Sequence, residues 1–224
     1  INNRIIDNLI INKKLIKEEV MAVADSSIDP KLLESAKKEF LERGFELASL
    51  KDICDRAQVT TGALYNRYKG KEELFAKVVE ETVCSIEEAR RERSGIDLEA
   101  ASDEDLKKMW KMNKEGLYWW FELFEKHKDG VILLIRCSAG TRYANFKHDF
   151  VEVVTETSYE IYEEMKRRKL TNKNISKKIM HTVHSAYFEM VYEPYVHGFS
   201  WEEICEIIDA MMNLLDFEKF IGIK

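Results

Sequence analysis

Residues 49–71, SLKDICDRAQVTTGALYNRYKGK, hold the side chains whose types and spacing are best suited to chemistry. Thr61, Asn66 and Arg67 offer hydroxyl, amide and guanidinium groups, which can hydrogen-bond to the edges of bases in the major groove of a duplex. An amide suits the paired donor and acceptor of adenine, and a guanidinium can reach guanine or a phosphate. This set of groups favours recognition of a polar surface over catalysis.

Other residues of the same stretch can approach or contact a phosphate backbone. Gly62 and Ala63 are small enough for close approach, and the Ala63 methyl can meet a thymine methyl. Hydroxyl and ammonium groups bind phosphate oxygens and fix the register on a duplex. The predicted base-reading residues are Thr61, Gly62, Ala63, Asn66 and Arg67. The predicted phosphate contacts are Ser49, Lys51, Tyr65, Lys69 and Lys71.

The charge distribution separates this stretch from the rest of the chain. It contains five Lys or Arg residues and two Asp residues, which is a surplus of three positive charges. The whole chain has a formal net charge of -6, so the other residues together carry -9. Acidic residues are thus displaced from the proposed nucleic-acid face, as expected for a protein that meets phosphate with one end.

Two short helices joined by a turn must position these side chains. Ser49 can cap the first helix, with Asp52 three residues later as a short capping box. Either Thr60 or Thr61 can cap the second helix. Gly70 then precedes a long helix, and acidic residues in the first turn of that helix complement its dipole. The pattern is that of a helix-turn-helix, whose second helix enters the major groove.

Composition and periodicity predict an all-α fold. The 224 residues include only 2 Pro and 9 Gly, so long uninterrupted helices are expected. Asp29-Pro30 predicts the start of a helix and Gly44 its end. Beyond the helix-turn-helix we predict helices at about 71–92, 103–126, 129–140, 142–169, 174–197 and 201–220.

The chain divides into three predicted segments. Residues 29–75 contain the predicted helix-turn-helix, and residues 76–224 form a larger helical domain. Residues 1–28 form an amino-terminal extension, which is either an amphipathic helix or a non-native segment, with Met21 as an alternative start.

Several classes of protein are disfavoured. The 4 cysteines are widely spaced without a Cys-x-x-Cys pair, and no apolar run approaches the ~18–20 residues of a membrane span, so we expect a cytoplasmic protein. No nucleophile elbow, complete phosphate loop or His-Glu-x-x-His motif occurs, so we expect no enzyme and no cofactor. His181 and His184 are spaced for one metal ion, but no further ligand completes a set, and we predict no metal site.

The stretch ESAKKEFLERGFELASLKDICDRAQVTTGALYNRYKGKEELF resembles the amino-terminal domain of the tetracycline-repressor (TetR) family. The matching residues are Gly44-Phe45, Ser49, Asp52-Ile53, Ala57, Val59, Gly62, Tyr65, Lys71-Glu72 and Leu74. The departures are Cys54, Gln58, Thr60, Arg67 and Tyr68. Glycine is usual at the position of Gln58, because the turn requires a left-handed conformation. The resemblance covers about a fifth of the chain. It implies a DNA-binding transcription factor, with a helix-turn-helix DNA-binding domain at residues 29–75 and a domain for ligand binding and dimerisation at residues 76–224.

An aromatic helix in the larger domain suggests a cavity for a small apolar or aromatic molecule. Trp110, Asn113, Leu117, Trp120 and Phe124 share one broad helical face. Ordinary core packing is the alternative, and the resemblance to the family favours the pocket. The predicted pocket residues are Trp110, Asn113, Leu117, Trp120, Phe124, Cys137, Phe146 and Tyr187.

The last two predicted helices carry apolar stripes broad enough to pack both in the core and against a second copy. In the resembled family these two helices form a four-helix dimer interface, which implies a homodimer on a palindromic operator. Packing within the chain is the alternative. The predicted interface residues are Ile179, Val183, Ala186, Met190, Ile204, Ile208, Met211 and Leu215.

Together these features predict a ligand-responsive regulator, a repressor that a small molecule releases from its operator. The effector, the operator sequence and the choice between repressor and activator are not determined by these residues. Two other functions stay open: a helical adaptor that has lost DNA binding, and a small-molecule-binding enzyme.

Overall fold

The computed structural model describes residues 28–111 and 113–223, and this part of the chain is all-α, as predicted. Eleven helices occur within it. They are α1 (Ile28–Leu47), α2 (Leu50–Ala57), α3 (Thr61–Tyr65), α4 (Lys71–Ser94), α5 (Asp103–Lys108), α6 (Lys114–Lys126), α7 (Lys128–Arg136), α8 (Phe146–Arg167), α9 (Lys177–Val196), α10 (Trp201–Leu214) and α11 (Phe217–Ile221). The predicted extension at 1–28 lies almost entirely outside the described residues.

Helix α1 is broken where the sequence predicts its end. Gly44 adopts φ 71° and ψ 167°, a backbone conformation that a side chain disfavours. After this break the chain turns toward α2, and the backbone N–H of Phe45 donates to the carbonyl of Cys137 at 2.8 Å. The predicted stop at Gly44 is confirmed, and it anchors the first domain to the second.

The predicted helix at 103–126 is wrong, because the chain forms two helices there. Helix α5 begins with the capping box of Ser102 and Asp105 and ends at Lys108. Helix α6 begins anew at Lys114, where the Asn113 side chain accepts a hydrogen bond from the backbone N–H of Gly116 at 2.6 Å. Asparagine caps a helix start well, and this local bond competes with continued helix.

The predicted helix at 201–220 also proves to be two helices. Ser200 and Glu203 form the capping box that starts α10, as predicted. Leu215 is extended, at φ -110° and ψ 125°, and Asp216 then caps α11 through the N–H of Lys219. The carboxyl-terminal end therefore folds back, and Thr171 pairs with Ile223 in an isolated bridge.

Three clusters of buried apolar residues hold the helices together. The first joins α1–α4 to α7 and includes Cys137 and Tyr143 from the larger domain. The second lies between α6, α7, α8, α9 and α10, and the third joins α5, α8, α9 and α11. The first cluster crosses the predicted boundary at residue 75, since α4 packs in both halves of the chain. None of the described helices is both long and apolar enough to cross a bilayer.

Candidate functional site

Local hydrogen bonds set the turn between α2 and α3. The Ser49 hydroxyl oxygen accepts the N–H of Asp52 at 3.2 Å and starts α2. At the other end Gln58 adopts the left-handed conformation, φ 57° and ψ 41°. The N–H of Val59 then bonds to the carbonyl of Cys54 at 3.0 Å. The geometry that glycine usually supplies is thus kept with glutamine, at some conformational cost.

Helix α3 presents its polar side outward because its apolar side is buried. Thr60 is the cap, with its hydroxyl oxygen 3.1 Å from the N–H of Ala63. Leu64 is fully buried and Tyr68 is 8% exposed, and both pack against α1 and α2. This leaves three of the predicted base-reading residues, Thr61, Gly62 and Asn66, exposed, with Ala63 half-buried beside them.

Arg67 does not face outward, contrary to the prediction that it reads a base. Its Nε lies 2.7 Å from Oδ1 of Asp29, and its Nη1 donates to the carbonyl of Ala63 at 3.1 Å. The side chain is 12% exposed. Arg67 therefore ties α3 to the start of α1, because a planar guanidinium can serve a carboxylate and a carbonyl together.

The predicted phosphate contacts differ in how accessible they are. Lys51, Lys69 and Tyr65 are exposed, and the Tyr65 side chain is 58% exposed. Ser49 is half-buried at its cap. The Lys71 ammonium donates to the carbonyls of Glu46 and Ala48, both at 3.0 Å, and lies over the Phe45 ring. Lys71 thus closes the end of α1 and lies at the start of α4.

The sequence reasoning missed Glu39, a fully buried carboxylate on α1. One of its oxygens accepts the N–H of Ser49 at 3.2 Å and lies 3.4 Å from Arg43, and the other accepts from Arg56 at 3.3 Å. Because the Ser49 N–H is at the start of α2, Glu39 fixes that start against α1. The spacing to Arg43 predicts only an ordinary ion pair on the helix surface, and nothing in the sequence shows that Ser49 and Arg56 also meet Glu39.

A cavity of about 360 Å³ lies between α5, α6, α8 and α9. Five residues predicted for a pocket line it, namely Trp110, Asn113, Leu117, Trp120 and Tyr187. Asn113, which lies at the break between α5 and α6, forms part of the cavity wall. Its volume is within the range of small-molecule sites, which are mainly apolar with a few polar groups.

Three residues predicted for the pocket do not line it. Phe124 is fully buried and stacks on Tyr192, with ring centroids 5.6 Å apart. Cys137 lies in the core of the first domain, where burial raises the pKa of its thiol. Phe146 stacks on Phe150 near the start of α8. Periodicity could not anticipate this, because a helical face shows which residues are covered but not by what.

The cavity also contains polar residues that the pocket prediction missed, including Thr157, Ser158 and His184. Nδ1 of His184 lies 3.1 Å from the hydroxyl of Thr155, and both side chains are buried. Burial, and then the nearby His181, lower the pKa of His184 to about 4. The imidazole is therefore neutral at pH 7 and can serve a ligand as a hydrogen-bond donor or acceptor.

Residues 32–78 match the family model of bacterial regulatory proteins, tetR family. The chain carries a TetR-family amino-terminal domain. The resemblance predicted from its residues is confirmed. An uncharacterized HTH-type transcriptional regulator of Bacillus subtilis, YfiR, is 35% identical over 49 residues, which are 22% of this chain and 24% of that protein. Sequence similarity to this curated relative thus spans about a quarter of its length.

Solved structures resemble much more of the chain. A TetR-like regulator from a Rhodococcus species has a TM-score of 0.57 at 15% identity, over 90% of this chain and 100% of that one. A transcriptional regulator from Aquifex aeolicus has a TM-score of 0.55 at 18% identity, covering 84% and 98%. NalD, the secondary repressor of a multidrug efflux pump in Pseudomonas aeruginosa, has 0.54 at 19% identity, covering 84% and 96%. At these identities the likeness shows a TetR-type fold.

The predicted interface residues of this TetR-type chain fall into two groups. On α9, Ile179 is 51% exposed, Ala186 is exposed, and Val183 and Met190 are half-buried; Leu215, after α10, is also half-buried. Ile204, Ile208 and Met211 are at most 1% exposed and pack in the second core cluster. Those three cannot meet a second copy, because α10 turns that face toward α6. The outer face of α10 instead presents Ala210 and Leu214, which is 73% exposed.

Proposed function

We propose that this chain is a ligand-responsive transcriptional regulator that binds a palindromic operator as a homodimer. In this proposal it is a repressor, released from DNA by a small molecule that enters the cavity. The observation that carries the proposal is the outward polar side of α3, where Thr61, Tyr65 and Asn66 are exposed over a buried apolar side.

The local geometry supports insertion of α3 into a major groove. The amino end of α3 carries Thr61 and Gly62, and in helix-turn-helix proteins this end reaches base edges. Lys51 and Lys69 flank it as exposed cations, and Tyr65 offers a hydroxyl. Because Asp29 pairs with Arg67, we assign base reading to Asn66, whose amide can bond to a base in a bidentate manner.

Pairing through α9 and α10 is supported by apolar residues that the chain leaves uncovered. The two helices are joined by a short turn at residues 197–200, and each carries a large apolar side chain near the end farther from that turn, at the start of α9 and at the end of α10. Ile179 and Leu214 are at these two positions and are large and exposed. A twofold pair through this surface would present two copies of α3 to one duplex.

Helix α4 supports coupling between the two sites. It begins at Lys71, beside α1 and α3, and continues to Arg90, which lines the cavity. A ligand that favours one orientation of α4 would change the separation of two α3 helices. Because coupling is reciprocal, operator DNA must weaken ligand binding by the same factor that the ligand weakens DNA binding.

A mobility-shift assay on DNA upstream of the gene for this chain tests operator binding. We expect a sequence-specific complex whose affinity falls steeply with salt. Asn66→Ala should change base preference at one position per half-site, whereas the control Lys38→Ala, on the outer side of α1, should change nothing. Equal affinity for upstream and scrambled DNA across the salt series would contradict operator recognition and favour the alternative, a helical adaptor.

Sedimentation of the purified protein tests dimerisation. We expect a dimer that Leu214→Glu converts to monomer, because a charge would be buried at the interface. The matched control is Leu47→Glu, which changes a leucine of similar exposure, 77%, in the amino-terminal domain. A wild-type monomer, or equal effects of the two substitutions, would contradict pairing through α10.

A further inference from the structure

The charged residues around the cavity are all basic. Among its lining residues are Arg90, Lys108 and Lys111, and the described lining contains no aspartate or glutamate. A site for a cationic molecule needs a carboxylate or an uncovered aromatic cage, and a charge of like sign repels it. The positive charge of the lining residues therefore disfavours a cationic ligand relative to an anionic one.

The net positive charge comes from the two lysines. Arg90 is paired with Glu87, whose Oε2 lies 3.2 Å from its Nε and 3.0 Å from its Nη2. Neither Lys108 nor Lys111 has a carboxylate at ion-pair distance among the described residues. The nearby carboxylate of Asp105 is held by Ser102, with 2.6 Å between Oδ2 and the hydroxyl oxygen, in the capping box of α5.

The rest of the cavity is apolar or neutral. Trp120 is held by neighbouring rings, at 5.9 Å from Phe124 and 6.3 Å from Phe150 between centroids. Trp110 and Leu117 form further apolar wall. His184 adds no positive charge at pH 7, because its pKa is well below that pH. The cavity thus combines an aromatic interior with positive charge near α5 and the break that follows it.

The amide of Asn113 lies at the same break as the lysines. Its oxygen is occupied by the N–H of Gly116, so the amide offers its N–H groups to a ligand. An amide donor and two cations therefore border the cavity close together along the chain, and an anion satisfies both. A carboxylate matches this end better than a neutral carbonyl, because charge-assisted hydrogen bonds are the stronger kind.

We propose that the cavity binds an amphipathic organic acid, with an aromatic body against Trp110 and Trp120 and a carboxylate toward Lys108 and Lys111. This inference rests on the proposed function, since it names the class of the effector at the same site. It goes beyond an apolar or aromatic effector by assigning the sign of the charge.

Calorimetry with three matched probes tests the sign. Naphthylacetate, naphthylacetamide and naphthylethylamine share one ring system and differ in charge. We expect the carboxylate to bind at least about fivefold more tightly than the amide, and the amine to bind most weakly. The preference should shrink as salt is raised, because the lysines are exposed to solvent.

Two variants separate charge from packing. Lys108→Gln with Lys111→Gln should remove the preference for the carboxylate and leave the amide affinity unchanged. Trp120→Ala should weaken all three probes together. Lys126→Gln, on α6 but not in the cavity wall, is the matched control and should leave the probe order unaltered.

The proposal is overturned if the amide or amine binds as tightly as the carboxylate, if the double lysine variant keeps the preference, or if no probe binds. None of these results bears on DNA binding, which the mobility shift measures without any probe. Loss of operator binding with an intact carboxylate preference would contradict the proposed function and leave the ligand class standing.

Discussion

The surface of α3 and the wall of the cavity are built in different ways. The exposed candidates on and just after α3 all lie within residues 61–66, and their orientation follows from the cap at Thr60 and the buried Leu64. The cavity wall is assembled from α4, α5, α6, α8, α9 and α11. Sequence order therefore places the first set of side chains, whereas packing between distant helices places the second.

This difference shows where local rules suffice. Caps and turns act over three or four residues, so a short motif can determine which side chains point outward. A cavity exists where packing is incomplete, and that depends on every neighbouring side chain. Four predictions test this difference between the two regions.

The largest effect is expected at Gly130, where α7 crosses α4. A Cβ there would lie 2.7 Å from Cβ of Thr82 and still closer to its hydroxyl. Gly130→Ala should lower the free energy of unfolding by about 3 kcal/mol, because the core resists overpacking. Thermal unfolding measures it, and Thr82→Ala in the same chain should restore part of the loss.

The control for Gly130 is Gly62→Ala, where the nearest atom is 3.8 Å from the added Cβ. It should leave stability unchanged or slightly raised, since alanine favours a helix. If both alanines behave alike, α4 and α7 are not tightly packed where Thr82 meets Gly130.

His184 should make stability depend on pH. Its folded pKa of about 4 is below the ordinary value of 6.5, so the unfolded chain binds the proton more readily. Stability from this group is full above the ordinary pKa and is lost as the pH falls toward 4. Between about pH 7.5 and pH 5 the loss should be about 2 kcal/mol.

Denaturant unfolding at a series of pH values measures the slope of stability. His184→Asn should flatten it while keeping a polar group for Thr155. Thr182→Ala, an exposed change on the same helix that removes no titratable group, should leave the slope as it is. An unchanged slope in His184→Asn would show that this imidazole is already accessible to protons.

Glu39 should matter to both folding and DNA binding. Glu39→Gln weakens the contacts with Arg43 and Arg56, so we expect a loss of about 1.5 kcal/mol in stability. Operator affinity should fall as well, because the start of α2 is less well fixed. Glu34→Gln, on the exposed side of the same helix, should change neither quantity.

Tyr65 should give the smallest effect. Tyr65→Phe removes a hydroxyl that the fold does not use, so stability should not change. Operator affinity should fall about fivefold, equally for all sequences, because a phosphate contact carries no sequence information. A change of base preference in this variant would show that Tyr65 faces a base instead of the backbone.

The sequence predicted the helix-turn-helix in some detail and the larger domain in outline. The Ser49 cap, the break at Gly44 and the capping box at Ser200 are where the residue types place them. Periodicity could not distinguish one helix at 103–126 from two, because apolar residues keep the same spacing across the break at Asn113. It also could not show that Ile204 and Ile208 face inward.

Helix caps and helical periodicity, which can be read from the sequence, determined the all-α fold and the exposed side of α3. The residue types at 32–78 determined the similarity of the first domain to the TetR family. Tertiary structure decided the pairing of Arg67 with Asp29, the burial of Glu39, and which aromatic residues border a cavity. The physical reason is range: caps and helical faces depend on neighbours within about four residues. Burial and charge pairing depend on side chains that only the folded chain brings together.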